Sequence, residues 1–117
     1  MVAHMIRSVD ASGLELVHEP LASGSAVTSG VSTALSRLGE SSGLEVGVWE
    51  HSAGVSVDTE VDEVFVVISG RGRVTCDKGG VMELAPGVVG FLEAGSRTTW
   101  EITEPLRKVW VTPAPMR

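Results

Sequence analysis

Few side chains in this sequence have both the type and the spacing for chemistry, and Glu63 leads them. It opens the run "EVFVVI" (63–68), whose apolar neighbours would line an interior if the run is a strand. A carboxylate in such surroundings loses hydration, its pKa rises, and it becomes a usable general acid or base. The alternative for Glu63 is structural: hydrogen bonds to backbone, or an ion pair with an arginine such as Arg97. Asp58 and Glu60 stand just upstream. Glu63 with Asp58 or Glu60 would offer two or three oxygen ligands, suited to weakly held Mg²⁺ or Mn²⁺ rather than to zinc or copper. Strand parity opposes that set, because Thr59, Glu63 and Phe65 share one side while Asp58, Glu60 and Asp62 share the other. The acidic trio then reads as a solvated strand edge that discourages aggregation. No metal cofactor is expected, and no tight site.

Trp49, Trp100 and Trp110 stand out in a chain with no tyrosine and two phenylalanines. Such rings give a ligand cavity flat apolar walls with an N–H handle, or else they fill core and interface. Thr98 and Trp100 share a strand face, so the two look the same way, and Trp49 and Phe65 join them as candidates to line a cavity with Glu63. Arg97 beside them either steers an anionic small molecule or sits exposed in a turn. The histidines add less: His4 is near the start, His18 lies in a weakly patterned stretch, and His51 follows a strand end, where a surface or interface position is expected. Cys76 alternates with Val74 and reads as a small core residue with no neighbouring base to activate it. "SGRGR" (69–73) lacks the helix and the Lys-Ser/Thr ending of a phosphate loop.

These residues need a scaffold, and 117 residues supply one domain with a modest core. A pI near 4.9 and a net charge of −6 argue against nucleic acid and against an anionic membrane surface. The tight basic pairs, Arg71 with Arg73 and Arg107 with Lys108, are expected on solvated faces. One cysteine excludes an intrachain disulfide and fits a reducing compartment. No apolar run is long enough for a membrane helix, and "MVAHMIRSVD" lacks the apolar core of a secretory signal. A cytoplasmic location is therefore expected. Residues 1–4 are set aside as a possible remnant of expression, with Met5 as the natural start.

The chain reads as nearly all strand. Residues 1–30 form an extended N-terminal arm, with "SGSAVTSG" as loop, and 31–117 form the β domain. Strands are expected at 31–38, 44–50, 63–68, 73–77, 81–84, 88–92, 98–102 and 107–111, with turns at "SGRG", "KGG", "APG", "EAGS" and "TEP". About eight short strands in a small domain must close into a barrel or a two-sheet jelly roll, or expose long apolar edges.

Two ordered segments carry a family resemblance. In "GVSVDTEVDEVFVVISG" (54–70), Glu63 is followed by Gly70; in "GVMELAPGVVGFLEAGSRT" (80–98), Gly80 leads to Pro86-Gly87, a strand and Gly95. This pair resembles the two half-motifs of the cupin superfamily. "GVWEHSAG" (47–54), "DEVFVVISGRGRV" (62–74) and "LAPGVVGFLEAGSRTTWEITEPLRKVWV" (84–111) are similar to the single-domain cupins grouped with ureidoglycine aminohydrolase and the ethanolamine-utilisation cupin. The resemblance implies a small cupin β-barrel of jelly-roll type. It also implies where metal ligands would stand. The first two histidines fall among Ser56, Val57, Asp58 and Thr59, the third at about Thr98, and only Glu63 remains of the usual four.

The expected function is therefore a small-molecule-binding cupin without a histidine-bound metal, built around Glu63, Thr98 and Trp100, and acting as an isomerase, lyase or hydrolase or as a binder. A metal-dependent hydrolase resembling ureidoglycine aminohydrolase and a non-enzymatic accessory or assembly module are the alternatives the resemblance leaves open. A homodimer is expected, since a domain of this kind exposes an outer apolar face that a second copy would cover.

Overall fold

Alternating valine-rich runs give eight strands and no helix among residues 6–115, the part of the chain that the computed structural model describes. They are β1 (Glu19–Pro20), β2 (Ser32–Ser41), β3 (Leu44–His51), β4 (Gly54–Thr59), β5 (Glu63–Cys76), β6 (Val81–Leu84), β7 (Val89–Leu92) and β8 (Arg97–Pro113). All pairings are antiparallel. Where β2 turns into β3, Ser42 and Gly43 both take positive φ (53° and 78°), the geometry of a two-residue hairpin. No helix of the described chain is long and apolar enough to cross a membrane.

β8 is the hub of the sheet. Its first half, Arg97–Ile102, pairs with β4 on one side and the far half of β5 on the other; its second half pairs with β3 and the near half of β5. β7 and β6 then extend the two halves of β5. The β5–β8 register slips between Val67 and Gly72, and bulges of this kind bend and twist a ribbon. Both halves contribute to one core: Phe65, Val67, Val74, Leu84, Leu92, Trp100, Ile102, Leu106 and Trp110 form a single buried cluster.

Three expectations about elements need correction. The sheet follows the path β1-β2-β3-β8-β5-β6 and its ends do not pair, so the jelly-roll-like fold stays open instead of closing into a barrel. "SGRG" and "TEP" are not turns between strands but bulged stretches inside β5 and β8. Gly70 has φ 91°, and a Cβ there would overlap the Pro105 carbonyl. A glycine lets the two bulged strands touch, and Pro105, with no N–H to donate, is tolerated at the slip. Finally, "GVSVDT" forms β4, a strand its serine and acid residues had concealed.

Arg107 was expected on a solvated face and is instead 9% exposed. Its Nη1 and Nη2 donate to the carbonyls of Ala11 and Leu14 (2.7 and 2.6 Å), and its Nε to Glu50 Oε2 (3.0 Å). His18 meets the other Glu50 oxygen at 3.1 Å and Ser32 Oγ at 2.9 Å. Charge-assisted bonds from one guanidinium to two arm carbonyls thus fasten the N-terminal arm to the outer side of β3 and β8.

Candidate functional site

Along β8 the even-numbered residues point inward on both sides of the bulge, where Glu104 is exposed. Thr98, Trp100, Ile102, Leu106, Lys108 and Trp110 are all buried. From β3 the same interior receives Gly47, Trp49 and His51. Gly47 is required there, since a Cβ would overlap the Trp110 ring. Trp110 is 5% exposed and its indole N–H has no partner among the described residues, a buried donor left at a cost of about 1–3 kcal/mol.

Lys108 is the residue that the sequence reading misplaced most. It was expected on a solvated face, yet it is 4% exposed. Its Nζ donates to Glu63 Oε2 at 2.6 Å. It also lies 4.6 Å from the Trp49 ring centroid, 4.5 Å from Phe65 and 4.7 Å from Trp100. Three ring faces and one carboxylate therefore box in one ammonium, an arrangement in which cation–π attraction and the ion pair act together. The rings brace one another, with Trp49 and Trp100 edge-on at 5.3 Å and Phe65 and Trp100 tilted at 5.9 Å.

Beside the box lies a second buried carboxylate. Glu60 Oε2 accepts from the Thr98 hydroxyl (2.6 Å) and from the Trp100 indole N–H (3.0 Å). Parity had turned Glu60 toward solvent, but it is 8% exposed. The reason is that 60–62 is no longer strand. The Glu60 N–H donates to the Ser96 carbonyl (2.8 Å), its carbonyl accepts from the Gly95 N–H (2.9 Å), and Asp62 Oδ1 accepts from the Ala94 N–H (2.9 Å). These bonds staple the β4–β5 connection onto the β7–β8 turn and swing Glu60 inward. Of the acidic trio only Glu60 leaves the solvated edge; Asp58 and Asp62 keep exposed positions.

Glu63, Glu60, Asp58, Lys108, Trp49 and Trp100 border a pocket of about 610 Å³. Burial holds the Glu63 carboxyl above its ordinary value; Lys108 pulls it down, and the Glu60 and Asp58 charges push it up again. Burial, and after it the Glu60 charge, raises Asp58 in the same way. Arg97 stands apart. It is exposed, and with Cys76, Asp77 and Thr98 it borders a second hollow of about 260 Å³. The partner of Glu63 is therefore Lys108 and not Arg97. Cys76, expected in the core, is only half-buried.

His51, expected at the surface or an interface, is fully buried. Its Nδ1 meets the Ser52 carbonyl, which only accepts, so Nδ1 carries the proton and Nε2 accepts from Ser56 Oγ–H at 2.7 Å. Burial holds its pKa below the ordinary value, with the charges of His18 and Lys108 adding to that effect.

The donor set does not fit the metal that the cupin resemblance implies. Among the described residues no three His, Cys, Asp or Glu side chains converge. Glu63, the one ligand type retained, is taken by an ammonium, and Thr98, at the place of the third histidine, is bound to Glu60. Glu63 with Asp58 or Glu60 is equally no site for Mn²⁺ or Mg²⁺ while Lys108 occupies the carboxylate.

Of the residues that the sequence grouped around a cavity, Glu63, Trp49 and Trp100 border this pocket, Phe65 packs behind them in the core and Thr98 borders the second hollow; Lys108, Glu60 and His51 were placed outside and are buried. A signal for Lys108 was present: the parity shared by Thr98 and Trp100, counted on past "TEP", where Glu104 alone turns outward, reaches it four turns of the pleat later.

Comparison with known proteins comes to the same fold. A family profile described as the EutQ-like cupin domain matches residues 38–110. A putative ethanolamine utilization protein Q from Salmonella typhimurium superposes with a TM-score of 0.62 at 24% identity, covering 71% of this chain and 71% of that one. The EutQ protein of Clostridium difficile gives 0.64 at 23%, covering 74% of this chain and 66% of that one. Ectoine synthase from P. lautus gives 0.64 at 16%, covering 83% and 70%. At these identities the likeness speaks for the fold alone. No curated protein matches the chain.

Proposed function

We propose that this chain, which belongs to the EutQ-like cupin family, is a small-molecule-binding cupin that moves a proton on its ligand through Glu63. One observation carries the reading. A carboxylate held above its ordinary pKa by burial opens on a pocket of about 610 Å³ while a lysine ammonium sits 2.6 Å from it. A raised carboxyl is better matched to neutral pH than a free one, and the adjacent ammonium holds it in one place. Proton abstraction and return is the step shared by isomerases, lyases and hydrolases, so the reaction class is proton transfer to or from a small molecule.

Each neighbour has a role in this reading. Lys108 positions Glu63 and balances its charge between half-reactions. Trp49 and Trp100 offer flat walls to the ligand, and Trp100 is fixed by its bond to Glu60. A pocket open to this extent supports a ligand-binding role over a purely assembly module, whose interior would be filled by side chains. The metal-dependent hydrolase alternative has no support from the donor set.

The test is Glu63→Gln, which keeps the shape and a hydrogen-bond acceptor. Ligands found by melting shift on the wild type should still bind to the variant, with turnover lowered by about a hundredfold or more. Equal turnover in both proteins removes Glu63 from the chemistry. The absence of any ligand at the Trp49–Trp100 wall, read by tryptophan fluorescence, removes the pocket.

A further inference from the structure

The pocket is short of positive charge. Five carboxylates and two cations border it. Both cations are spent in ion pairs, Arg37 on Glu45 at 3.0 Å and Lys108 on Glu63 at 2.6 Å. Asp62 is held by the Ala94 N–H and Asp58 by the Thr59 N–H (2.9 and 2.8 Å), both neutral donors.

Glu60 is the telling member. The residue is 8% exposed and borders the pocket. Its Oε2 takes two neutral donors, Thr98 and Trp100, while its Oε1 has no hydrogen-bond partner among the described residues and, unlike the buried Trp110 N–H, stays open to the pocket. An open carboxylate oxygen in a half-desolvated wall, with no ion pair of its own among those residues, marks where a cation would be welcome. The same walls already accommodate one ammonium, since Lys108 is held by Glu63 and by three rings. Arg97, a candidate to steer an anion, does not border this pocket.

We propose that the pocket takes a ligand bearing a protonated amine or a quaternary ammonium, seated between Glu60 and Asp58 against the Trp49 wall. The assignment rests on the reading above that this pocket binds a small molecule, and it names the ligand class. The Asp58 carboxyl is raised first by burial and then by the Glu60 charge. At Glu63 burial raises, Lys108 lowers, and the Glu60 and Asp58 charges add a smaller upward push, so carboxylates crowd one another here and such a ligand would relieve the crowding.

The experiment compares three probes of matched size at constant ionic strength: butylammonium, butyrate and butanol, followed by calorimetry and tryptophan fluorescence on the full chain. Butylammonium should bind and raise the melting temperature, and butyrate should do neither. Glu60→Gln keeps an oxygen for Thr98 and Trp100 but removes the charge, and it should weaken butylammonium by about tenfold or more. Where Glu60→Gln does not fold, Asp58→Asn at the open rim carries the same comparison. Butyrate or butanol binding in place of butylammonium overturns the charge assignment and leaves the pocket standing. Butylammonium binding that is indifferent to both variants also overturns it. No binding by any of the three overturns this inference together with the proposed function.

Discussion

Inside an apolar box, Glu63 and three aromatic faces stand around the Lys108 ammonium in place of the water it left. Taking the ammonium away leaves Glu63 as a buried carboxylate with no counter-ion. Lys108→Met should therefore destabilise the fold by about 3 kcal/mol or more in urea unfolding, and the double variant with Glu63→Gln should recover much of that loss. If the double variant is no better than the single one, packing and not charge dominates at this position. His51 makes a separate prediction, in pH. Its folded value lies below the ordinary 6.5, so between the two values the unfolded chain binds the extra proton. Its contribution is whole above pH 6.5 and is lost as the pH falls toward the lowered value. Glu63 and Asp58 carry the opposite sign: raised from 4.5 and 3.8, their contributions are whole below those values and are lost as the pH rises. The histidine term is therefore read as a difference. Between about pH 7.5 and pH 5.5 the wild type should lose more stability than His51→Gln, by at most about 1.4 kcal/mol per pH unit for one proton.

At the scale of elements, the point where β5 and β8 slip past each other is the least forgiving. Gly70 has a φ of 91° and no room for a Cβ beside Pro105. Gly70→Ala should cost about 2–4 kcal/mol, measured by thermal melting, because it meets an unfavourable backbone region and a backbone overlap together. A loss below about 0.5 kcal/mol would mean that the crossing is soft. The same crossing limited what the sequence could reveal. Alternation located β3, β6 and β7 nearly to the residue and β2 to within three at its end, since apolar and polar positions take turns along them. Gly70 and Pro105, however, carry the composition of turns, and nothing local distinguishes a turn from a bulge inside a long strand. Cutting β8 at "TEP" hid Lys108, because the inward parity could not be followed across the cut. Glu60 was illegible for a different reason. Its direction is set by backbone bonds to Ser96 and Gly95, partners far away in sequence, and period-two reasoning ends where the strand does.

On the whole molecule, the arm covers only part of the outer side of the sheet. Val48 there is fully buried, while Val64, Val89 and Phe91 are 41%, 53% and 72% exposed. Val64 pairs with Phe91 and Val66 with Val89, so the exposed residues form one apolar surface across β5 and β7. Surfaces of this kind on a small domain mark association, and the expected homodimer is proposed to form there. Sedimentation should give a dimer for the wild type and a monomer for Phe91→Arg, with the melting temperature of the dilute protein little changed; a monomeric wild type removes the proposal. One further consequence lies in the order of the strands. β8, the partner of β3, β4 and β5, comes after all of them in the chain. On the ribosome, earlier strands must therefore wait with their valine edges unpaired until residues 97–113 emerge. A sheet whose keystone is made late folds as a whole or not at all, and its nascent form is the state in most need of a chaperone.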